Sequence, residues 1–308
     1  MAVQTSAASP QVTGRIDPRT LALLVGGSLA ALVGLGAAVF LVQLYADGDW
    51  GAVLAAAREG LSTRGFWTAA GVGLVAQVVD GALGMAYGIT STTFLLSTGV
   101  PPAAASASVH IAEVFTTAFS GASHWRLGNV NNDLFKRLVI PGVIGGVLGA
   151  YILTSIDGGT IKPFITAYLL LMGVYILIKA FRTIRIRTEP PTLVAPLALT
   201  GGFVDAVGGG GWGPVVTTSL VGSGQDPRTT IGSVNAAEFF IAVSTGLSFA
   251  LLGGLTHWTT IAGLVIGGLF AAPIAAFICS KLPTRALMII VGVLISALSI
   301  YNLVKLLA

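Results

Sequence analysis

The chain has 308 residues, of which 54% are hydrophobic and only 9% charged, and its mean hydropathy is +0.89. This composition excludes a soluble domain with a solvated surface and predicts an all-α polytopic membrane protein. The net charge of +4 does not indicate a nucleic-acid partner, because the basic residues stand in short loops between apolar segments and are typical topology signals. A lone Cys279 leaves no partner for an intramolecular disulfide.

In chain order, a polar N-terminal tail over 1–19 precedes an apolar run over 20–45. That run is too long for the core of a signal peptide. The segment 20–65 is therefore expected to hold an extra transmembrane helix followed by a polar connection. Eight more apolar stretches bring the total to nine, and they cover 66–99, 102–125, 135–156, 163–182, 193–224, 228–252, 258–280 and 284–307.

The two halves of the chain carry the same pattern at a constant offset of 125 residues. Repeat 1 covers 66–183, repeat 2 covers 193–308, and a charged, proline-containing linker over 184–192 separates them. An ungapped match of this length indicates an internal duplication. The matching positions include Asp80/Asp205, Gly84/Gly209, Gly88/Gly213, Thr92-Thr93/Thr217-Thr218, Ser108-Val109/Ser233-Val234 and Glu113/Glu238.

The stretches 66–99 and 193–224 are longer than the roughly 20 residues that span a bilayer. Each is interrupted by glycine-rich sequence, so each is either a broken span or a re-entrant hairpin. If all nine stretches cross, the basic residues divide 10 against 6; with two hairpins they divide 12 against 4, a clearer positive-inside bias. We therefore expect seven full transmembrane helices, two hairpins, a cytoplasmic N-terminus and an inverted repeat, since three crossings plus a hairpin reverse the second copy.

The two glycine breaks are predicted to meet near the membrane midplane and to form one central site. Half-helix N-termini and backbone N–H groups at such a site favour an anion. Glycine allows close backbone approach and threonine adds hydroxyl donors, although the same glycines also suit tight helix packing. The expected substrate-binding residues are Gly84, Tyr87, Gly88, Thr92, Thr93, Gly209, Gly210, Trp212, Gly213, Thr217, Thr218, His110 and Asn235, with packing as the alternative role for the rings of Tyr87 and Trp212.

Four carboxyl groups stand in apolar sequence, where an ionisable group is costly and usually has a function. Asp80 and Asp205 precede the breaks, and each either caps the following half-helix or takes part in transport. Glu113 and Glu238 have no basic partner in the apolar sequence. They are either proton carriers or protonated packing residues.

His110 stands three residues before Glu113 and so faces the same side of its helix. Its counterpart in repeat 2 is Asn235, which argues against a symmetric histidine-based metal site. His110 is then either an asymmetric contact for a proton or the substrate, or a satisfied polar residue at a helix interface.

These ordered elements resemble the sulfite exporter TauE/SafE family. The resemblance rests on the duplicated Val-Asp-x-x-x-Gly-x-x-x-Gly element, followed by Thr-Thr, Gly-x-x-Pro and a helix carrying Ser-Val-(His/Asn)-x-x-Glu, and it covers roughly 66 to 307. It implies an inner-membrane permease that moves small sulfur-containing anions, such as sulfite or sulfonates, outward.

Three classes of function compete: a secondary transporter, a channel and an intramembrane enzyme. The sequence shows no paired histidine motif and no nucleophile elbow, so we expect no catalytic residue, no metal and no cofactor. We expect a secondary transporter that exports a sulfur-containing anion, with protons as the candidate coupling ion. An anion channel and an importer of thiosulfate or sulfate are the alternatives. The expected partners are the small anion, protons and the lipid bilayer of the cell (inner) membrane, which the chain crosses several times, and a homodimer is compatible with the sequence.

Overall fold

The computed structural model describes residues 50–83, 85–126, 128–182, 192–253, 257–279 and 284–307. The predicted N-terminal tail, the first span at 20–45, Gly84 and all but the last residue of the 184–192 linker lie outside the described residues.

Every regular element in these ranges is helical, as the composition predicts. In chain order the elements are α1 (Trp50–Ser62), α2 (Arg64–Leu83), α3 (Tyr87–Ser97), α4 (Pro102–Arg126), α5 (Asn132–Ser155), α6 (Gly158–Lys179), α7 (Val194–Gly208), a π-helical turn (Gly213–Thr217), α8 (Thr218–Gly222), α9 (Pro227–Gly253), α10 (Trp258–Cys279) and α11 (Thr284–Leu307). Repeat 1 contributes α2 to α6, and repeat 2 contributes α7 to α11.

Both long apolar stretches break at the glycine-rich segments. Three residues separate α2 from α3, and four separate α7 from the π-helical turn. The backbone is left-handed at Ala86 (φ 96°) in the first break and at Gly209 (φ 64°) in the second, where Gly210 also has a positive φ of 148°. Because glycine has no Cβ, it adopts these angles without steric cost. Helix α7 can therefore end at a buried position.

The helices of the two repeats are interleaved, so that equivalent pairs occur twice. The first helix of each repeat packs along the fourth helix-forming segment of the other: α2 along α10 and α7 along α5. The pairs α4/α9 and α6/α11 join equivalent helices of the two copies. Small residues permit the closest approaches, since a Cβ at Gly267 would lie 1.9 Å from Ala70 O and one at Gly145 would lie 2.1 Å from Leu199 O.

Large apolar side chains cover the outside of the protein, and many polar side chains are buried inside it. Large apolar side chains such as Phe164 and Leu251 are 72% and 77% exposed, whereas Thr166 and Thr245 are fully buried. Four helices among the described residues are long and apolar enough to cross a membrane: Asn132–Ser155, Gly158–Lys179, Arg228–Gly253 and Met288–Leu306. Val194–Gly208 and Trp258–Ala271 are shorter apolar helices. The chain is therefore a membrane protein whose polar groups are gathered at its centre.

Candidate functional site

The two glycine breaks contact each other. Thr92, on α3, donates a hydrogen bond to Gly209 O, and Thr218, on α8, lies with its hydroxyl 3.7 Å from Met85 Sδ. Between these contacts the backbones touch, since a Cβ at Gly88 would lie 2.7 Å from Gly210 Cα. Equivalent segments of the two repeats thus form one junction, and glycine is needed where the chains approach most closely.

Asp205 bridges the second break. Its Oδ1 accepts hydrogen bonds from Gly211 N at 2.6 Å and from Trp212 N at 2.9 Å, so the carboxyl satisfies two N–H groups that no helical carbonyl can reach. In the first break, the carboxyl of Asp80 likewise bonds to the backbone of Tyr87. Both aspartates therefore hold together the two ends of their broken helices.

His110 connects the two repeats at the same place. Its Nε2 lies 3.2 Å from Asp205 Oδ2, and both side chains are at most 2% exposed. The ring also lies 5.9 Å from the ring of Phe249, centroid to centroid, at a tilt of 49°. His110 on α4 and the second break are thereby fixed to one another.

Glu113 completes this centre. The carboxyl is 2% exposed, and a Cβ at Gly88 would lie 2.9 Å from its Oε1, which places the carboxyl beside the junction of the breaks. Its Oε2 has no hydrogen-bond partner among the described residues. Ligand-type atoms of His110, Glu113 and Asp205 lie within 4.8 Å of one another.

Four carboxyl groups interact electrostatically at this centre. Glu113 experiences the fields of Asp205, Glu238 and Asp80, and Glu238 experiences those of the two aspartates. The segments that carry these groups contain no lysine or arginine between Arg64 and Arg126, between Arg187 and Arg228 or between Arg228 and Lys281. Each carboxyl group therefore has no lysine or arginine in the neighbouring turns of its own helix.

The remaining predicted residues divide between the junction and its packing. Tyr87 donates its hydroxyl to Leu264 O at 3.2 Å, and Trp212, which is fully buried, donates Nε1 to Val234 O at 3.1 Å, so both rings are packed side chains with satisfied polar atoms. Thr93 bonds within its own helix to Ile89 O. Thr217 Oγ1 and Asn235 Oδ1 are buried and have no partner among the described residues, while Gly213 is buried at the start of the π-helical turn.

Two site residues escape sequence reasoning. Tyr168, on α6, donates its hydroxyl to Gly210 O at 3.1 Å, and it lines an apolar cleft between α6 and α7. Its counterpart at the repeat offset is Val293, so the duplication gives no signal for it. Ser106 donates to Ala206 O at 2.6 Å, and its position four residues before His110 was a usable signal, since it places both on one helix face.

The composition of this centre bears on what it can hold. Histidine and carboxylate are ligand types for divalent metals, but the direct contact between His110 Nε2 and Asp205 Oδ2 has the length of a hydrogen bond. The N–H groups of Gly211 and Trp212 donate to the carboxyl group of Asp205, so the second break already binds an oxyanion that the protein itself supplies.

The comparisons with known proteins agree with a transport role. The chain is 44% identical over 243 residues to the probable membrane transporter protein YtnM of Bacillus subtilis (strain 168), an alignment that covers 75% of this chain and 81% of that protein. No solved structure gives a significant match. The family described as sulfite exporter TauE/SafE matches residues 69–302, a span that contains both breaks, the four carboxyl groups of the centre and His110. The chain is thus a membrane transporter that belongs to the sulfite exporter TauE/SafE family.

Proposed function

We propose that the protein is a secondary transporter that exports a small sulfur-containing anion, such as sulfite or an organosulfonate, across the cell inner membrane with proton coupling. The observation that carries this proposal is the junction of the two glycine breaks, in which Thr92 of repeat 1 bonds to Gly209 of repeat 2. Broken helices that meet at one buried point are the binding elements of inverted-repeat transporters.

The interleaved packing supports an inverted repeat. Helices α2 and α7 each pack along a helix of the other copy, and α4 packs on its own equivalent, α9. A two-fold relation of this kind is expected when two copies face opposite sides of a bilayer. We take the arrangement to be seven full crossings with two re-entrant hairpins, in which the hairpins enter from opposite faces.

Anion binding at the junction is supported by its unpaired polar atoms. Thr90, Ser91 and Thr217 have buried hydroxyl oxygens without partners among the described residues, and all three stand on the segments that follow the breaks. Hydroxyl groups and backbone N–H groups are the donors that bind a small oxyanion.

The buried carboxyl groups support proton coupling. An anion that approaches Glu113 and Asp205 is repelled while they are charged, and it is admitted once they are neutral. Binding of the anion therefore favours binding of protons, and by linkage the reverse also holds. A singly charged anion moving with one proton carries no net charge, so the membrane potential does not act on the step. Export then proceeds when the outward gradient of the anion is steeper than the inward gradient of protons.

Transport in proteoliposomes tests the proposal. We expect sulfite to accumulate against its own gradient when a pH gradient is imposed, and we expect its flux to depend on the junction. Downhill flux alone would indicate a channel, and the absence of flux for sulfite, sulfoacetate, thiosulfate and sulfate would overturn the proposed substrate class. A Gly71→Val variant is the matched control, because a Cβ at Gly71 meets nothing within 4 Å.

A further inference from the structure

The imidazole of His110 is oriented by hydrogen bonds that determine where its hydrogen lies. Nδ1 is 2.8 Å from the carbonyl oxygen of Ser106, and a carbonyl oxygen only accepts. The Ser106 hydroxyl also lies 3.3 Å from Nδ1 but gives its own hydrogen to Ala206 O, so its oxygen is an acceptor as well. Nδ1 therefore carries a hydrogen.

A second hydrogen is then needed between the other ring nitrogen, Nε2, and the carboxyl group of Asp205. A neutral imidazole that is protonated on Nδ1 presents a bare lone pair at Nε2, and an ionised carboxylate is also an acceptor only. Two acceptors do not approach to the 3.2 Å that separates Nε2 from Asp205 Oδ2. The contact requires one hydrogen between the two atoms, whichever of them holds it more tightly.

This hydrogen is linked to the geometry of the second break. The same carboxyl that faces His110 through Oδ2 accepts the N–H groups of Gly211 and Trp212 through Oδ1. Hydrogen bonds to a charged carboxylate are about twice as strong as those to a neutral group. Movement of the hydrogen between His110 and Asp205 therefore changes how firmly the second break is held.

We propose that the proton coupled to transport is held between His110 Nε2 and Asp205 Oδ2, and that Glu113 is the group that exchanges it. Glu113 has a buried oxygen, Oε2, without a hydrogen-bond partner in the described part of the chain, and it lies in the same cluster. The inference rests on the proposed transport function for the role of the proton, although the presence of the proton follows from hydrogen bonding alone.

Other titratable groups lie on the helices packed around the His110–Asp205 pair, and they do not exchange the proton. Asp80 on α2 and Glu238 on α9 act through their fields on Glu113. The hydroxyls of Tyr168 on α6 and Tyr87 on α3 are committed to Gly210 O and Leu264 O.

Asp205→Asn is the decisive variant because its amide reproduces both contacts. The amide oxygen accepts the N–H groups of Gly211 and Trp212, and the NH2 group donates to His110 Nε2 in place of the proton. The fold is retained while the exchangeable proton is removed. His110→Asn is the second variant, and the chain itself contains asparagine at the equivalent position, Asn235.

The first measurement is calorimetric titration of the full-length protein with sulfite in buffers of different ionisation enthalpy. At an alkaline pH at which the free protein has released the shared proton, we expect the wild type to take up about one proton per sulfite, since binding and protonation are linked. We expect that proton uptake to be lost in Asp205→Asn, whereas Gly71→Val, whose added Cβ meets nothing within 4 Å, keeps it. Unchanged proton uptake in both Asp205→Asn and His110→Asn, with loss in Glu113→Gln alone, would overturn the assignment.

The second measurement does not depend on the substrate. The chain has three histidines, so ¹⁵N NMR of histidine-labelled protein resolves His110 by comparison with His110→Asn. We expect its Nε2 signal to be that of a protonated or strongly hydrogen-bonded nitrogen at pH 8, and the signal of an unbonded lone pair would overturn the proposal.

Binding of added Zn²⁺ that requires both His110 and Asp205, without a linked proton, would assign the pair to a metal instead. Failure of sulfite to bind while the NMR result stands would contradict only the proposed substrate.

Discussion

The two breaks occupy equivalent positions in the repeats, yet they are built from different residues. In the first, Ala86 takes the left-handed backbone, whereas in the second Gly209 and Gly210 have positive φ. His110 bonds through both of its nitrogens, while the side-chain oxygen of its counterpart, Asn235, has no partner among the described residues. The two repeats thus form similar scaffolds, and a histidine stands at only one of the two equivalent positions.

The largest effect is expected from filling the contact between the breaks. A Cβ at Gly210 would lie 2.1 Å from Ile89 N and 2.3 Å from Gly88 C, and backbone atoms cannot move aside as a flexible side chain can. We expect Gly210→Val to abolish transport and to lower the yield of folded protein. Gly71→Val, on the exposed side of α2, is expected to behave as the wild type in the same flux and size-exclusion measurements. Near-normal transport by Gly210→Val would mean that the breaks do not touch during the cycle.

Glu113 and Glu238 offer a second test of the difference between the repeats, because they are equivalent in sequence but differ in burial. Glu113 is fully buried beside Gly88, whereas Glu238 is only partly buried. We expect Glu113→Gln to reduce pH-driven sulfite accumulation by about tenfold or more, the contribution of a well-placed proton carrier. Glu238→Gln should have a smaller effect on the same assay. Equal losses in the two variants would show that the repeats contribute symmetrically to coupling.

The sequence predicts the breaks well because their causes are local. A stretch too long for one span, with an aspartate followed by glycines, specifies a helix end with a capping carboxyl group. It also predicts that Asp80 and Asp205 stand next to the breaks. The pairing of His110 with Asp205 is not local: the two residues are 95 positions apart and belong to different repeats. Sequence spacing gives no account of such a contact, since it depends on how α4 packs against α7.

Tyr168 tests whether a contact outside the duplication matters to the second break. Its hydroxyl donates to Gly210 O, and Val293 stands at the equivalent position of repeat 2. We expect Tyr168→Phe to lower the free energy of unfolding by about 1 kcal/mol, the net value of one hydrogen bond. We expect the free energy of sulfite binding to weaken by about the same amount. Tyr151→Phe is the matched control, since Tyr151 is 56% exposed. A thermal melt that does not separate the two variants would remove Tyr168 from the site.

The smallest effect is expected at Ala86, the residue that distinguishes the backbone of the first break. A left-handed angle costs a non-glycine residue about 1–2 kcal/mol, so Ala86→Gly relieves strain. It also removes a methyl group that is 4% exposed, which costs about 0.8 kcal/mol, and it raises the entropy of the unfolded chain. These terms nearly cancel, and we expect the melting temperature in detergent to change little. A clear loss of stability, together with loss of transport, would show that the first break depends on the alanine methyl group for its packing, and that the two breaks differ in mechanism as well as in sequence.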